Sequence, residues 1–336
     1  MKKTILVFLA LLTAKICSQT VIHGVIKENT WWTKENSPYI LTNDLVIAPF
    51  ARLVIEPGVT VMAEKPLRIP DGIEQIDHLD SFTVAIKVLG ALHAVGTPTD
   101  HIIFMGKDVE DDRYTHWYGI YVDSRRSEQV TLAYTTVSSA VNGIFVKNGM
   151  PMIRNVLFEF NHVGLRAENR ASLRAVHCVF TKNYLAAVRV INSNPYIYNS
   201  IFVDNVGTAL WGDGKVDIPF RNNIIWNNGR DFLETDARLG VMRKLNPNGD
   251  STDFYGNLRT DPVFVGSQRA EFLEKSGKTA KNVFFHDRLD EIEDKRFFLS
   301  PYSPAVDAGI NSRMFRESDG SAPDIGIWGG ADHIRF

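Results

Sequence analysis

A chain of 336 residues, 44% of them hydrophobic and 23% charged, suits one large ordered domain. A formal net charge of −2 gives no reason to expect a nucleic-acid partner. No stretch is apolar over enough length to span a membrane.

Met1–Ser18 reads as a secretory signal: Lys2 and Lys3, an apolar run from Ile5 to Leu12, then a small residue before a cut between Ser18 and Gln19. The cut removes Lys2, Lys3 and Lys15 and no acid, leaving 34 basic against 39 acidic side chains, a charge of −5. The chain is therefore expected to be secreted, extracellular, periplasmic or associated with an outer membrane. Cys17 offers an alternative, a lipid anchor, but Lys15 and Ile16 stand where that processing needs small residues. If Cys17 leaves with the signal, only Cys178 remains and no intramolecular disulfide can form.

Residues 19–39 are expected to be an N-terminal cap lead-in, with Trp31 and Trp32 covering the open apolar end of the strands after them. Sugar stacking is a second role open to the pair. Strand-like runs come next at Tyr39–Ile47, Ala51–Val61, Val84–Gly90, His101–Phe104 and Gly119–Val122. Lys107–Thr115 is a polar loop. Its acids would have to hold any Ca²⁺, but their oxygens are not spaced as in a known calcium loop, so it reads as a solvated turn.

The middle of the chain carries a repeat of 22 residues. Asn155, His177 and Asn199 keep that spacing, as do Val156, Cys178 and Ser200. So do Phe158, Phe180 and Phe202, and so do Asn161, Asn183 and Asn205. A fixed period of roughly 20–50 residues marks a solenoid, propeller or array. Each copy is a β-branched and aromatic run closed by Asn, with a second short strand before it, which leaves no room for a helix. A propeller blade of four strands needs about 40 residues or more. One rung of a parallel β-helix fits. The phenylalanines are expected to stack inside and the asparagines to form a ladder at one turn, taking left-handed backbone geometry there. Cys178, in an inward column, reads as a small buried hydrophobe. The expected fold is all-β, a right-handed parallel β-helix of about eight rungs of 21–24 residues over 40–232. Residues 233–336 break the period as an irregular insertion and closing region. Surface insertions are expected at Lys275–Lys281 and Asp287–Lys295, with a short helix near the second. Asp307 and Asp324 precede small residues and Gly, and are expected to bond their own backbone in tight turns.

Three segments carry a resemblance. They are Leu53-Val54-Ile55-Glu56-Pro57-Gly58-Val59-Thr60-Val61, the rungs just described, and a closing series. That series runs Asp261-Pro262-Val263-Phe264, Ser303-Pro304-Ala305-Val306-Asp307-Ala308-Gly309 and Asp324-Ile325-Gly326-Ile327-Trp328-Gly329-Gly330. On these the chain resembles secreted bacterial right-handed parallel β-helix proteins of the pectate-lyase-like superfamily. The resemblance implies architecture over nearly the whole mature chain. It leaves chemistry open, because the superfamily includes lyases, hydrolases, epimerases and adhesins. Neither an Asp-Pro-His-Glu epimerase signature nor the paired aspartates of polygalacturonase-like hydrolases is present.

Function is expected on outward residues of one face. Aligning the rungs on Gly119, Gly143, Gly164, Ala187 and Ala209 places Ile120, Ile144, Leu165, Val188 and Leu210 inward. Tyr121, Phe145, Arg166, Arg189 and Trp211 then point out as a stripe, aromatic at both ends and basic in the middle. Such a stripe suits an extended acidic polysaccharide, with aromatic rings on sugar faces and guanidinium groups on carboxylates or sulfates. The competing reading has it covered by a loop or by 233–300. A polysaccharide lyase would use Arg166 and Arg189 to neutralise the uronate and Lys147, or His162, as base. Glu168 and Asp213 fall two rungs apart, about 10 Å. That exceeds the roughly 5–9.5 Å that glycosidase carboxylates need. No metal site or cofactor is expected. The leading expectation is a non-catalytic polysaccharide-binding protein; a lyase, or a structural or adhesive surface protein, is the alternative.

Overall fold

The computed structural model describes residues 19–64, 84–107, 117–124, 130–213, 218–281, 295–313, 315–317 and 320–330. The expected signal with Cys17, the acids of 108–115 and most of the expected 287–295 insertion lie outside the described residues.

The chain winds as a parallel β-coil with three faces. The first sheet takes the starts of Thr20–Ile26 and Tyr39–Ile47, then Thr60–Ala63, Ile102–Gly106 and the ends of Val130–Ser138 and Met152–Glu159. Val179–Thr181, Ile201–Val203 and Ile224–Trp226 complete it. The second sheet takes the ends of Thr20–Ile26 and Tyr39–Ile47, then Ala85–Val88, Gly119–Asp123, Asn142–Asn148, Val163–Glu168, Ala186–Ile191, Thr208–Trp211 and Arg230–Leu233. The third runs Thr30–Trp32, Arg52–Ile55, Ala91–Val95, the starts of Val130–Ser138 and Met152–Glu159, Arg174–Val176, Tyr196–Tyr198 and Phe220–Arg221. Its eight strands make eight turns. Alternation sends every second side chain inward, and Leu41, Ile55, Leu92, Ile144, Leu165, Phe180 and Leu210 lie in one continuous core.

The coil begins earlier than residue 40. Thr20–Ile26 pairs with Tyr39–Ile47, and a register shift between Ile22 and Gly24 bends it from the first sheet into the second. Gly24 sits at φ +91° at that bend, a conformation glycine reaches without a side-chain clash. Trp32 is inside the first turn, 2% exposed and stacked on Tyr39 at 4.5 Å, whereas Trp31 is 60% exposed on the outer face. The expected pair of capping tryptophans is therefore split by strand alternation.

The inner columns stack as the period predicts. Phe158, Phe180 and Phe202 lie parallel, with centroids 4.7 Å apart at both steps. Asn161 Nδ2 donates to Asn183 Oδ1 at 3.2 Å, Asn183 to Asn205 at 2.8 Å, and Asn205 to Asn228 at 2.7 Å. The left-handed residue is not the ladder asparagine but the one before it: Phe160, Lys182 and Asp204, at φ 54–55°. The ladder amides also donate to the carbonyls of Val137, Phe158 and Phe180. Asn183→Ala strips Asn161 N and Nδ2 of their acceptor and leaves Phe158 O without its donor. It is expected to cost about 2–4 kcal/mol, read as a lower urea midpoint with unchanged slope. A cost below about 0.5 kcal/mol would mean that water replaces the ladder. Cys178 is a buried free thiol, pushed up to about 12 by burial, as a small hydrophobe requires.

Beyond Leu233 the chain leaves the coil. A helix, α1, spans Gln268–Lys275, with Ser267 Oγ accepting from Ala270 N at 3.2 Å, whereas the short helix expected near Asp287–Lys295 falls outside the described residues. Residues 297–313 and 320–330 fold back onto the outer face of the first sheet, where Ala305, Val306, Ile325 and Ile327 pack on Leu157, Val179, Ile201 and Ile224. The left-handed column Asn155, His177, Asn199, Asn222 serves as the rail for this segment. Asn155 Nδ2 donates to the carbonyls of Ile327 (2.6 Å) and Gly329 (3.1 Å). Asn199 Oδ1 accepts from Ile310 N at 2.9 Å, and Asn222 Nδ2 donates to Ala308 O at 3.1 Å. Asp324 does not close its own turn: its Oδ1 accepts from Asp307 N at 2.9 Å and so joins the two closing motifs.

Candidate functional site

The ladder of the second sheet brings the five stripe residues onto successive rungs. Ile120, Ile144, Leu165, Val188 and Leu210 are partners in register, and so are Tyr121, Phe145, Arg166, Arg189 and Trp211. The small-residue column before them is required by close approach: a Cβ on Gly164 would sit 2.6 Å from the carbonyl of Ala187. The column runs further than five rungs, to Lys87 beside Tyr121 and Leu233 beside Trp211.

The stripe is not evenly open. Phe145 is 7% exposed because Tyr118, Val141 and Ala85 pack around it, with Tyr121 set edge-on at 5.2 Å. Arg166 is 6% exposed; its guanidinium lies 4.6 Å over the Phe145 ring and its Nε donates to Glu168 Oε1 at 2.7 Å. The pair is neutral and shielded, so Arg166 fastens this end of the stripe together. Tyr121, Arg189 and Trp211 are half-buried. Tyr121 Oη donates to Asp123 at 3.3 Å, and burial, then Asp123, holds its phenol protonated. Arg189 lies 4.6 Å over the Trp211 ring, and Trp211 Nε1 donates to Glu234 Oε2 at 3.4 Å. The indole and guanidinium thus form a braced, part-open plate.

The family model for the right-handed β-helix region matches residues 108–243. This chain is a right-handed β-helix. No curated protein and no solved structure matches it. The matched residues include every rung that carries the stripe from Tyr121 to Trp211.

Within this β-helix, Lys147 follows Phe145 by two on the strand next to that of Arg166. It lies where the pairing with Gly119–Asp123 shifts register, between Val146 and Asn148. His162 enters the Val163–Glu168 strand with its ring against Tyr184 at 5.8 Å. Burial, then the charge of Arg189, lowers its pKa, so it is a neutral imidazole at neutral pH. The acids that anchor the stripe, Asp123, Glu168 and Glu234, were not picked out as anchors in sequence. A signal existed for two of them: Asp123 and Glu168 follow Tyr121 and Arg166 by two, which puts each pair on one side of a strand. Among the described residues no helix is long and apolar enough to cross a membrane.

Proposed function

We propose that this β-helix is a secreted or envelope-associated protein that binds an acidic polysaccharide along the outer face of its second sheet. The observation that carries the reading is the Arg189–Trp211 plate, a cation over an indole on adjacent rungs of an in-register column. A sugar ring packs its C–H face on the part of the indole left open, and the guanidinium takes a carboxylate or sulfate. Rungs roughly 4.8 Å apart let an extended chain run from Trp211 toward Tyr121. Secretion rests on the leader at 1–18, and the binding reading on a face whose side chains Tyr121, Arg166 and Trp211 are held in place by Asp123, Glu168 and Glu234. The test is affinity electrophoresis in gels containing pectate, alginate or a glycosaminoglycan. Wild-type protein is expected to be retarded by at least one of them, and Arg189→Ala with Trp211→Ala to lose about tenfold in affinity. Retention unchanged in the double variant would remove the plate from binding.

One observation favours a lyase as the second reading. His162 is held neutral beside Arg189, which suits a base next to a carboxylate-neutralising group. On this reading His162, rather than Lys147, takes the proton. New unsaturated uronate ends, followed by ultraviolet absorbance, would appear with wild type and vanish in His162→Gln.

A further inference from the structure

The coil ends at Arg230–Leu233, and the chain beyond it folds back beside Ile224–Trp226, the last strand of the first sheet. A cavity of about 420 Å³ lies there. Small-molecule sites have volumes of roughly 300–1,000 Å³. Two aromatic rings border this one, Trp226, which is 42% exposed, and Tyr302. Arg269 and Leu273 reach it from α1, one helical turn apart and so on one side. Lys278 adds a second cation, and Asp250 and Asp261 add two carboxylates.

These four charges do not neutralise one another. Asp250 accepts from Asn246 Nδ2 at 3.3 Å and Asp261 from Val263 N at 2.8 Å, while Arg269 lies over Phe272 at 5.5 Å. None of the four is in an ion pair among the described residues. A second cavity of about 420 Å³, on the first sheet nearer the N-terminus, differs on this point. There Lys34 pairs with Asp100 and Arg296 with Glu159, so its charges serve to hold the fold together.

We propose that the cavity beside Trp226 is a ligand site separate from the second-sheet stripe, and that it takes one uronic acid ring. The C–H face of a pyranose packs on an indole. A planar guanidinium matches a carboxylate by two parallel hydrogen bonds, which assigns the sugar carboxylate to Arg269, with Lys278 as support. Ring hydroxyls donate to Asp250 and Asp261, whose spare lone pairs no protein cation takes. The site recognises a single ring rather than a chain lying along rungs.

The test titrates the full chain with glucuronic acid and with galacturonic acid, with glucose as the neutral comparison, by tryptophan fluorescence. Trp226→Phe and Arg269→Met are the variants; both side chains are exposed, so both variants are expected to fold. One uronate at least is expected to give a saturable change with a midpoint on the order of 1 mM, weakened about tenfold or more in Arg269→Met. The change should shrink in Trp226→Phe and be untouched by Arg189→Ala, which reports on the stripe. No saturable response to either uronate, equal affinity for glucose, or full binding in Arg269→Met would each overturn the proposal. Loss of polymer retention without loss of monosaccharide binding would strike only the stripe.

Discussion

Phe180→Ala is expected to lower the unfolding free energy by roughly 3–5 kcal/mol. Phe180 is fully buried and sits between two parallel rings, Phe158 and Phe202, each 4.7 Å away. Truncation removes its transfer free energy and two stacking contacts, each contributing about 0.5–1.5 kcal/mol. It also leaves a cavity, and here the cavity cannot close. The rungs above and below are held by the sheet pairing of Val179–Thr181 on both sides and by the Asn161–Asn183–Asn205 ladder one turn away. Collapse would have to break those bonds. Phe180→Leu fills most of the space and is expected to cost about 1–2 kcal/mol. Phe50→Ala, at a ring 80% exposed, is expected to change little. Equilibrium denaturation reads all three. A Phe180→Ala cost below about 1.5 kcal/mol would show that the stack is not a rigid axis.

The parts of this fold that could be read from the residues are those the period repeats. Phe158, Phe180 and Phe202 recur with matched chemistry because each faces the same neighbours one rung away. The column from Tyr121 to Trp211 came out in register for the same reason: a small residue marks the start of each strand. Thr20–Ile26 could not be read this way. It matches no later copy, and its exposed Val21 and Val25 are as apolar as the inward Ile22 and Ile26, so the alternation of the strand is hidden in the residue types. The left-handed positions were placed one residue late because Phe160, Lys182 and Asp204 share no chemical type, while the asparagines beside them do.

The openness of the stripe was not legible, because it depends on contacts between rungs. Phe145 is buried by Tyr118 and Val141, which lie in turns the period does not align. Arg166 stands in the outward column as a guanidinium open to a ligand by its position alone, but Glu168 two residues on binds it. The cavity beside Trp226 had no signal, since its other walls come from 250–278 and 302–304, where no spacing links one residue to the next. The column Asn155, His177, Asn199 is legible as a repeat of 22 residues. Its use as a rail for the closing segment needed a partner from more than 100 residues away in sequence, as in the Ile310–Asn199 bond.

That rail leads to an acid-sensitive clasp at His177. The ring is 1% exposed, with Phe315 edge-on at 5.9 Å and the closing glycines so near that a Cβ on Gly330 would sit 2.8 Å from Nε2. Burial first, then the charge of Arg154, pushes its pKa down to about 3 from the usual 6.5. The unfolded chain therefore binds a proton through a range in which the folded chain does not, and stability falls as pH falls from about 6.5 to about 3. At about 1.4 kcal/mol per pH unit the loss reaches roughly 4–5 kcal/mol at the bottom of that range. Asp324 acts with the opposite sign. Burial and then Glu317 raise its carboxyl to about 8, so its contribution is present at low pH and is lost as pH rises through about 8. The wild-type profile sums the two, and a variant is needed to separate them. His177→Asn places there the residue that the rungs on either side use, Asn155 and Asn199, and removes the titration. Below pH 6.5 the variant is expected to gain steadily on wild type in denaturation experiments. Above it the gap should be constant. Profiles that stay parallel from pH 8 down to 3 would mean that His177 is reached by protons in the folded chain, and that the closing segment is not what shields it.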